Sequence, residues 1–170
     1  MDRKYISICF SIILFSLVFT LIFAKPRNDD AGETTKKAPV SAATGEVTLT
    51  AQEGSYSLNV TTVLDMLPDT DAEEYPAAKR VAVVVYEYTN ADISHGLSIG
   101  KTHFKAYDSK GNELKQFPQK NMFEPGEIET SGTLTASVAF ALNDETNYLK
   151  IEFYNDVSSS VPDVVFEKTW

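Results

Sequence analysis

The sequence predicts an all-β domain, an antiparallel β-sandwich of about seven strands preceded by an apolar N-terminal helix. Two observations support this prediction. Apolar and polar residues alternate with a period of two over several segments, which is typical of strands with one buried face. Short runs rich in glycine, proline, asparagine and aspartate separate these segments, as turns do. About 125 residues carry the pattern, which is enough for one hydrophobic core.

Residues 1–24 contain the predicted helix. The run from residue 6 to Ala24 has no charged side chain, and Arg3 and Lys4 precede it. As a helix it would be about 28 Å long, close to the hydrocarbon thickness of a bilayer. It is either a signal peptide cleaved after Ala24 or a retained N-terminal membrane anchor, and both alternatives stay open. Either one places the remainder outside the cell or on the outer face of the cytoplasmic membrane.

A polar segment, residues 25–45, follows the apolar run. It contains no aromatic residue and one large aliphatic residue, Val40. Because such a segment cannot bury enough apolar area to offset its ordering entropy, we predict a disordered linker. Cys9, the only cysteine, lies early in the apolar run, so it does not match a lipid-acceptor cysteine. The sandwich domain would occupy residues 46–170 and would have no disulfide.

The predicted domain is strongly acidic. Residues 46–170 contain nine lysine and arginine residues against twenty aspartate and glutamate residues, a net charge of about −11. This charge argues against binding to nucleic acid or anionic lipid, and we predict no basic patch. It favours an extracellular domain whose partner is basic.

The strands are assigned in chain order from the alternation. They are Glu46–Gln52, Tyr56–Leu64, Val81–Tyr88, Lys101–Asp108, Thr133–Leu142, Tyr148–Tyr154 and Val164–Trp170. The first and last are interpreted as outer strands. The third is apolar on both faces, so we place it in the middle of a sheet.

The same alternation predicts which side chains are buried. The inward set is Tyr56, Leu58, Val60, Leu64, Phe104, Ala106, Leu134, Ala136, Val138, Phe140, Leu142, Leu149, Ile151 and Phe153. Thr133, Thr135 and Ser137 fall on the opposite, polar face of their strand.

Two glycine-containing segments are predicted turns. Residues 108–112 form a hairpin turn in which Gly111 supplies a positive φ. Residues 124–127 form a tight turn with Pro125 and Gly126 in the central positions of type II. Such turns reverse the chain between antiparallel strands.

The order of these segments resembles a known family. Its motifs are the Thr-Asn that ends residues 83–90, the Asp-x-x-Gly-Asn turn within 104–114 and the Pro-Gly-Glu turn within 123–127, followed by strands at 132–142 and 148–155. It is similar to immunoglobulin-like domains of unknown function in secreted proteins and lipoproteins of Gram-positive bacteria. These are distantly similar to the mycobacterial immunoprotective extracellular antigens. The resemblance implies an immunoglobulin-like sandwich, and it assigns no catalytic or binding residue, because its motifs are structural turns.

Asp69, Asp71 and Glu73 are the candidate metal ligands. Alternating carboxylates supply the hard oxygen atoms that calcium prefers. An EF-hand loop is excluded, since Glu74 and Arg80 occupy the positions of its glycine and its final glutamate. The alternative is a solvated acidic loop. We therefore predict no cofactor, with calcium left as an open alternative.

No catalytic residue is predicted. His95 and His103 are the only histidines, and two histidines without cysteine make a poor zinc site. Asp92, Ser94 and His95 are neighbours in sequence, whereas a hydrolytic triad needs residues that converge in space.

Tyr86, Tyr88, Tyr148 and Tyr154 are the candidate binding residues. Tyr148 and Tyr154 alternate with inward residues, so they are expected on an outer sheet face. If they share that face with Tyr86 or Tyr88, it is the best candidate contact surface. The alternative is that the tyrosines only cover the sheet as cross-strand pairs.

The predicted function is therefore a non-catalytic binding domain, secreted or tethered at the cell surface, with a protein, a peptide or a cell-envelope component as partner. The alternative is a structural or calcium-binding module of the cell envelope.

Overall fold

Antiparallel β-strands and one short 3-10 turn are the regular elements of the described part of the chain. The computed structural model describes residues 43, 45–51, 53–69, 78–120, 122–143 and 145–170. Its strands are β1 Val47–Ala51, β2 Gly54–Met66, β3 Arg80–Asn90, β4 Leu97–Ser98, β5 Phe104–Tyr107, β6 Glu113–Leu114, β7 Glu127–Ile128, β8 Thr133–Leu142, β9 Tyr148–Phe153 and β10 Val164–Thr169. A 3-10 turn, Lys101–His103, leads into β5. The all-β prediction is confirmed for this part of the chain.

The predicted N-terminal helix lies outside the described residues. Within the ranges given above, no helix is long and apolar enough to cross a membrane. The choice between a signal peptide and an anchor at residues 1–24, and the linker at residues 25–45, therefore stay predictions.

The first sheet contains four antiparallel strands in the order β1-β2-β3-β8. The central position predicted for residues 81–88 is confirmed, because β3 pairs with β2 on one side and with β8 on the other. Residues 81–85 are buried on both faces of the sheet, which explains their unbroken apolar run. β1 lies at the edge, as predicted.

A β-bulge divides β2 into two parts with different alternation. The register shifts after Val60, because Thr61 is left over between two consecutive pairs with β3. The Thr61 hydroxyl donates to the carbonyl oxygen of Val85 at 3.1 Å. Beyond the bulge Val63 faces the core, and Leu64 is 43% exposed. The prediction that Leu64 is buried is therefore wrong, because a strict period of two does not continue across a bulge.

The second sheet also contains four antiparallel strands, in the order β10-β9-β5-β6. The predicted inward residues of β9, Leu149, Ile151 and Phe153, are fully buried. At the β10 edge, Ala43 donates its N–H to the carbonyl oxygen of Val165 at 2.7 Å. β4 and β7 form a separate two-stranded sheet.

The two four-stranded sheets share one hydrophobic core. Its largest fully buried side chains are Tyr56, Leu58, Tyr86, Tyr88, Ile99, Phe104, Phe140, Leu142, Leu149, Ile151, Phe153 and Phe166. The Phe104 ring lies between the sheets, with its centroid 4.5 Å from that of Tyr86 and 5.3 Å from that of Phe153. Because side chains of both sheets meet in this cluster, the described residues form a two-layer sandwich.

A second, smaller apolar cluster covers the outer face of the first sheet. It contains Val81, Val83, Val85, Phe117, Ala139 and Ala141, with Met122 packed beside them. The chain after β6 pairs with β8 here, since the N–H of Phe117 donates to Ala139 at 2.8 Å and that of Ser137 donates to Phe123 at 2.9 Å. Ser137, predicted on a polar face, is therefore buried under this segment.

Asp108 forms the predicted hairpin turn between β5 and β6. One of its carboxylate oxygens accepts hydrogen bonds from the N–H groups of Lys110 and Asn112 at 2.9 and 2.8 Å. Gly111 has a φ of 82°, the positive value that was predicted for it.

The type II turn predicted at residues 124–127 is wrong. Type II requires a positive φ at its third residue, and Gly126 does not have one. Its carbonyl oxygen instead accepts a hydrogen bond from the hydroxyl of Tyr88. This loop therefore closes over a buried tyrosine and does not form a tight turn.

Candidate functional site

Tyr86 and Tyr88 lie inside the core and not on a surface. Both are 0% exposed. The hydroxyl of Tyr86 donates to the carbonyl oxygen of Ile99 at 2.8 Å, and the hydroxyl of Tyr88 donates to that of Gly126. Burial raises the pKa of Tyr86. The prediction that these two residues contribute to an exposed binding face is wrong, because they occupy the inner side of a central strand and loop carbonyls satisfy their hydroxyls.

Tyr148 and Tyr154 lie on the outer side of the second sheet. β9 and β3 belong to different sheets, so these tyrosines share no face with Tyr86 or Tyr88. Tyr148 is half-buried, and Tyr154 is only 5% exposed. Their role in binding stays a prediction. The exposed area of both rings is much smaller than the alternation suggested.

Tyr154 belongs to a polar network on this outer face. Its hydroxyl donates to Glu152 Oε2 at 2.6 Å, and Lys150 Nζ lies 2.8 Å from Glu152 Oε1. Two ammonium groups lie over tyrosine rings. Lys150 Nζ is 4.5 Å from the centroid of Tyr107, and Lys105 Nζ is 5.3 Å from that of Tyr154. The network joins β5 and β9 across the sheet.

Within this network Tyr154 stays neutral and Glu152 stays ionised at neutral pH. Burial raises the pKa of Tyr154, and the hydrogen bond to the Glu152 carboxylate raises it further. Burial also opposes ionisation of Glu152, but hydrogen bonds from Lys150 and Tyr154 outweigh it and hold the pKa of Glu152 below 4.5. Because the network occupies these polar groups, it favours the alternative in which the tyrosines cover the sheet as cross-strand pairs.

Of the candidate metal ligands, only Asp69 lies within the described residues, and Asp71 and Glu73 lie outside them. Both carboxylate oxygens of Asp69 accept the backbone N–H of Lys120, at 2.9 and 3.1 Å. Among the residues that the structure describes, no group of three histidine, cysteine, aspartate or glutamate side chains could hold a metal ion. The calcium hypothesis stays a prediction.

Asp92, Ser94 and His95 are not brought together. The Asp92 carboxylate accepts hydrogen bonds from the backbone N–H and the hydroxyl of Ser55. His95 Nδ1 lies 2.9 Å from a carboxylate oxygen of Glu53. Asp92 and His95 therefore bind different residues, Ser55 and Glu53, and do not form the contacts of a triad with Ser94.

The structure exposes apolar side chains that the alternation did not single out. Leu64, Met66 and Leu67, at the end of β2, are 43%, 39% and 77% exposed. We call these three residues the β2 apolar strip. Phe123, beside β8 at the other side of the sheet, is 57% exposed. The strip exists because the bulge at Thr61 turns Leu64 and Met66 outward, and no local sequence signal marks that bulge.

Comparisons with known proteins give a fold and no family. No family model matches the chain, and no curated protein matches it. Two solved structures are similar in fold. The secreted protein MPT63 of Mycobacterium tuberculosis is 13% identical, with a TM-score of 0.56, over 78% of this chain and 99% of that one.

The second is the ycdA protein of Bacillus subtilis, provisionally classed as a lipoprotein. It is 11% identical, with a TM-score of 0.54, over 67% of this chain. The match spans 36% of the ycdA chain, so most of that protein has no counterpart here. At these identities the two similarities establish a shared sandwich fold.

Proposed function

We propose that this chain is an exported, non-catalytic binding domain with an immunoglobulin-like sandwich and a protein partner. Export is supported by the uncharged run of residues 6–24, with Arg3 and Lys4 before it. The similar fold of a secreted protein and of a provisionally classed lipoprotein is compatible with the same location.

The observation that carries the binding proposal is the β2 apolar strip. Single exposed apolar residues are ordinary on protein surfaces. Here three large apolar side chains lie at the end of one strand, and two of them, Leu64 and Met66, pair in register with buried valines of β3. A partner that covers the strip would remove their apolar surface from water, which is the main favourable term in protein association. The net negative charge of the domain favours basic side chains at the rim of that partner.

Surface proteolysis of intact cells tests the location. A protease that cannot enter the cell should degrade the exported domain or release it from the cell. A cytoplasmic marker protein in the same cells is the control and should stay intact. Protection of the domain together with its recovery in the cytoplasmic fraction would contradict the proposal.

Site-specific photo-cross-linking tests the binding surface. A photoreactive residue placed at Leu67 in the full chain should form one discrete cross-linked product in intact cells. Val157 is the matched control, since it is an apolar residue of comparable exposure, 57%, in a different loop. Equal products from Leu67 and Val157, or no product from Leu67, would overturn the assignment of this surface.

The proposal includes no resident cofactor, and the calcium-binding alternative has a direct test. Calcium that binds the native state raises the melting temperature as its concentration rises. We expect millimolar calcium to change the melting temperature no more than magnesium does. A calcium-specific increase that Asp69→Asn abolishes would favour the calcium-binding envelope module instead.

A further inference from the structure

Residues 101–120 are basic, although the domain as a whole is acidic. They contain five lysines, at positions 101, 105, 110, 115 and 120, and two carboxylates, Asp108 and Glu113. The remainder of residues 46–170 contains four basic and eighteen acidic residues. The segment is therefore locally basic within an acidic domain. Its lysines are four to five residues apart and form no run of like charge.

The β5–β6 hairpin brings two of these lysines together. Ala106 pairs with Leu114, so continuing the register by one residue places Lys105 opposite Lys115. The side chain of Gln116 holds the chain close to β5 beyond that point, donating to the carbonyl oxygen of Lys101 at 2.8 Å. Lys105 and Lys115 thus lie on adjacent stretches of chain.

Lys105 and Lys115 both line a groove of about 520 Å³ beside β5 and β6. Three apolar residues line it as well, Phe104, Leu114 and Phe140, together with one carboxylate residue, Glu113. The two phenylalanines are buried, so the half-buried Leu114 supplies the accessible apolar surface of the groove. The groove therefore combines a small apolar surface with two lysines and one glutamate.

Neither ammonium group forms an ion pair with any residue that the structure describes. Glu152 is the register partner of Lys105 on β9, but that carboxylate is already bound by Lys150 and Tyr154. Lys105 lies over the Tyr154 ring instead. Like charges on directly opposite positions of a sheet are destabilising. An anion bound between Lys105 and Lys115 would remove that repulsion.

We propose that this groove binds an acidic segment of a protein partner, with a carboxylate between Lys105 and Lys115 and an adjacent apolar side chain against Leu114. The inference rests on the proposed function, in that the domain works by binding, but it uses a surface distinct from the β2 apolar strip. The net charge of the domain selects this ligand chemistry. A polyanion would bring many negative charges within a Debye length, about 8 Å, of the domain's own carboxylates, and these charges would repel it. A short peptide segment brings few charges and adds apolar contacts.

Fluorescence anisotropy with a labelled peptide of alternating glutamate and leucine tests the proposal on the full chain. We expect Lys105→Glu and Lys115→Glu each to weaken binding about tenfold. Lys79→Glu is the matched control, because it makes the same charge change at an exposed lysine outside the groove. It should change the affinity less than twofold.

A melting curve distinguishes a binding role from a structural one. Lys115→Glu replaces a like-charge pair by an opposite-charge pair, so its melting temperature should equal or exceed that of the native chain while peptide binding falls. Loss of both stability and binding would overturn the proposal, as would equal weakening by Lys79→Glu. Preference for a lysine–leucine peptide, or displacement of the peptide by equimolar inorganic phosphate, would also overturn it.

Failure in this assay and failure of the proposed function are separable. If the peptide does not bind but Leu67 still forms its cross-link, the groove inference is wrong and the binding domain stands. If the peptide binds and the Leu67 cross-link is absent, the groove replaces the β2 apolar strip as the contact surface.

Discussion

The tyrosines differ from one another in the polar partner that each hydroxyl finds. Tyr86 and Tyr88 donate to loop carbonyls inside the core, and Tyr154 donates to a carboxylate on an outer face. A tyrosine can be buried without penalty only when its hydroxyl is paired. At the residue scale, the acceptor that each hydroxyl finds therefore decides its role: Tyr86 and Tyr88 bind loops to the core, and Tyr154 joins a charged network.

Phe140 and Phe153 test the core of the sandwich. They are 1% and 0% exposed, so Phe140→Ala and Phe153→Ala should each lower the free energy of unfolding by about 3–5 kcal/mol, through lost burial and a cavity. Phe123→Ala, at a 57% exposed position, is the control and should cost less than about 1 kcal/mol. Urea denaturation measures all three. A loss as small as the control for either core residue would contradict its burial.

Tyr154 tests the network on the second sheet. Tyr154→Phe removes the donor to Glu152 and should lower the free energy of unfolding by about 1–2 kcal/mol, because it leaves a partly buried carboxylate with one partner fewer. Tyr148→Phe is the matched control on the same strand and should change it by less than about 0.5 kcal/mol. Equal values for the two variants would show that the Tyr154 hydroxyl is free for a partner.

Protonation of Asp65 at acid pH should lower the free energy of unfolding. A hydrogen bond from Arg80 holds the pKa of Asp65 below 3.8 in the folded state, although burial opposes this. A depressed folded pKa stabilises the protein above the unfolded pKa, and that contribution is lost as the pH falls through the folded value. The stability difference between the native chain and Asp65→Asn should therefore be constant above about pH 5 and shrink below pH 3.8. Urea titrations across this range measure it, and a pH-independent difference would contradict the ion pair.

At the scale of single elements, β2 shows how one residue changes the use of a strand. The first half of β2 places alternate residues in the core, and Thr61 then interrupts the register. After the bulge, Leu64 and Met66 point outward. Without the bulge, the alternation of the first half of β2 would place both of them inward. The proposed contact surface is thus a consequence of the bulge and not of a polar or aromatic motif.

The β5–β6 hairpin depends on a glycine at its turn. Gly111 has a φ of 82°, and a Cβ there would meet no atom within 4 Å, so Gly111→Ala carries a conformational cost without a clash. We expect a loss of about 1 kcal/mol in the free energy of unfolding. Gly100→Ala is the matched control, since a Cβ there also meets open space and its backbone needs no positive φ. Equal effects of the two variants would contradict the turn geometry.

At the scale of the whole molecule, a two-sheet core supports a surface of uneven charge. The core joins both sheets through residues such as Phe104, so both outer faces keep a fixed geometry. The basic segment 101–120 includes β5 and the last strand of the second sheet, β6, within a domain of net charge about −11. The net negative charge of the domain therefore repels an anion at long range, while the lysines beside one groove attract it at short range.

Salt should stabilise the domain at neutral pH. Raising sodium chloride from low to physiological concentration screens the repulsion among its carboxylates, so the melting temperature should rise by about 3 °C at pH 7. The same addition near pH 4.7, the isoelectric point of the chain, should have little effect. Thermal denaturation followed by circular dichroism measures both. A melting temperature that falls with salt at pH 7 would show that attractive charge pairs dominate instead.

The sequence by itself determined the all-β class, the central position of β3 and the hairpin at Asp108. It also determined the inward side of β9, with Leu149 and Phe153 in the core. These features depend on the order of neighbouring residues in the sequence. A strand alternates with a period of two, and a turn needs residues that accept its dihedral angles. Neighbouring residues therefore carry enough information to predict them.

Only the tertiary structure decided that Tyr86 and Tyr88 lie in the core. Their alternation with Glu87 and Thr89 puts them on one side of β3, but whether that side is buried depends on the second sheet that packs against it. The tertiary structure also decided the bulge at Thr61, which follows from pairing with a distant strand. The placement of Lys105 and Lys115 beside one groove has the same origin, since the pairing of β5 with β6 brings their segments together. Burial and charge pairing are properties of contacts between distant segments, so the candidate surfaces of this protein became visible only after those segments were assembled.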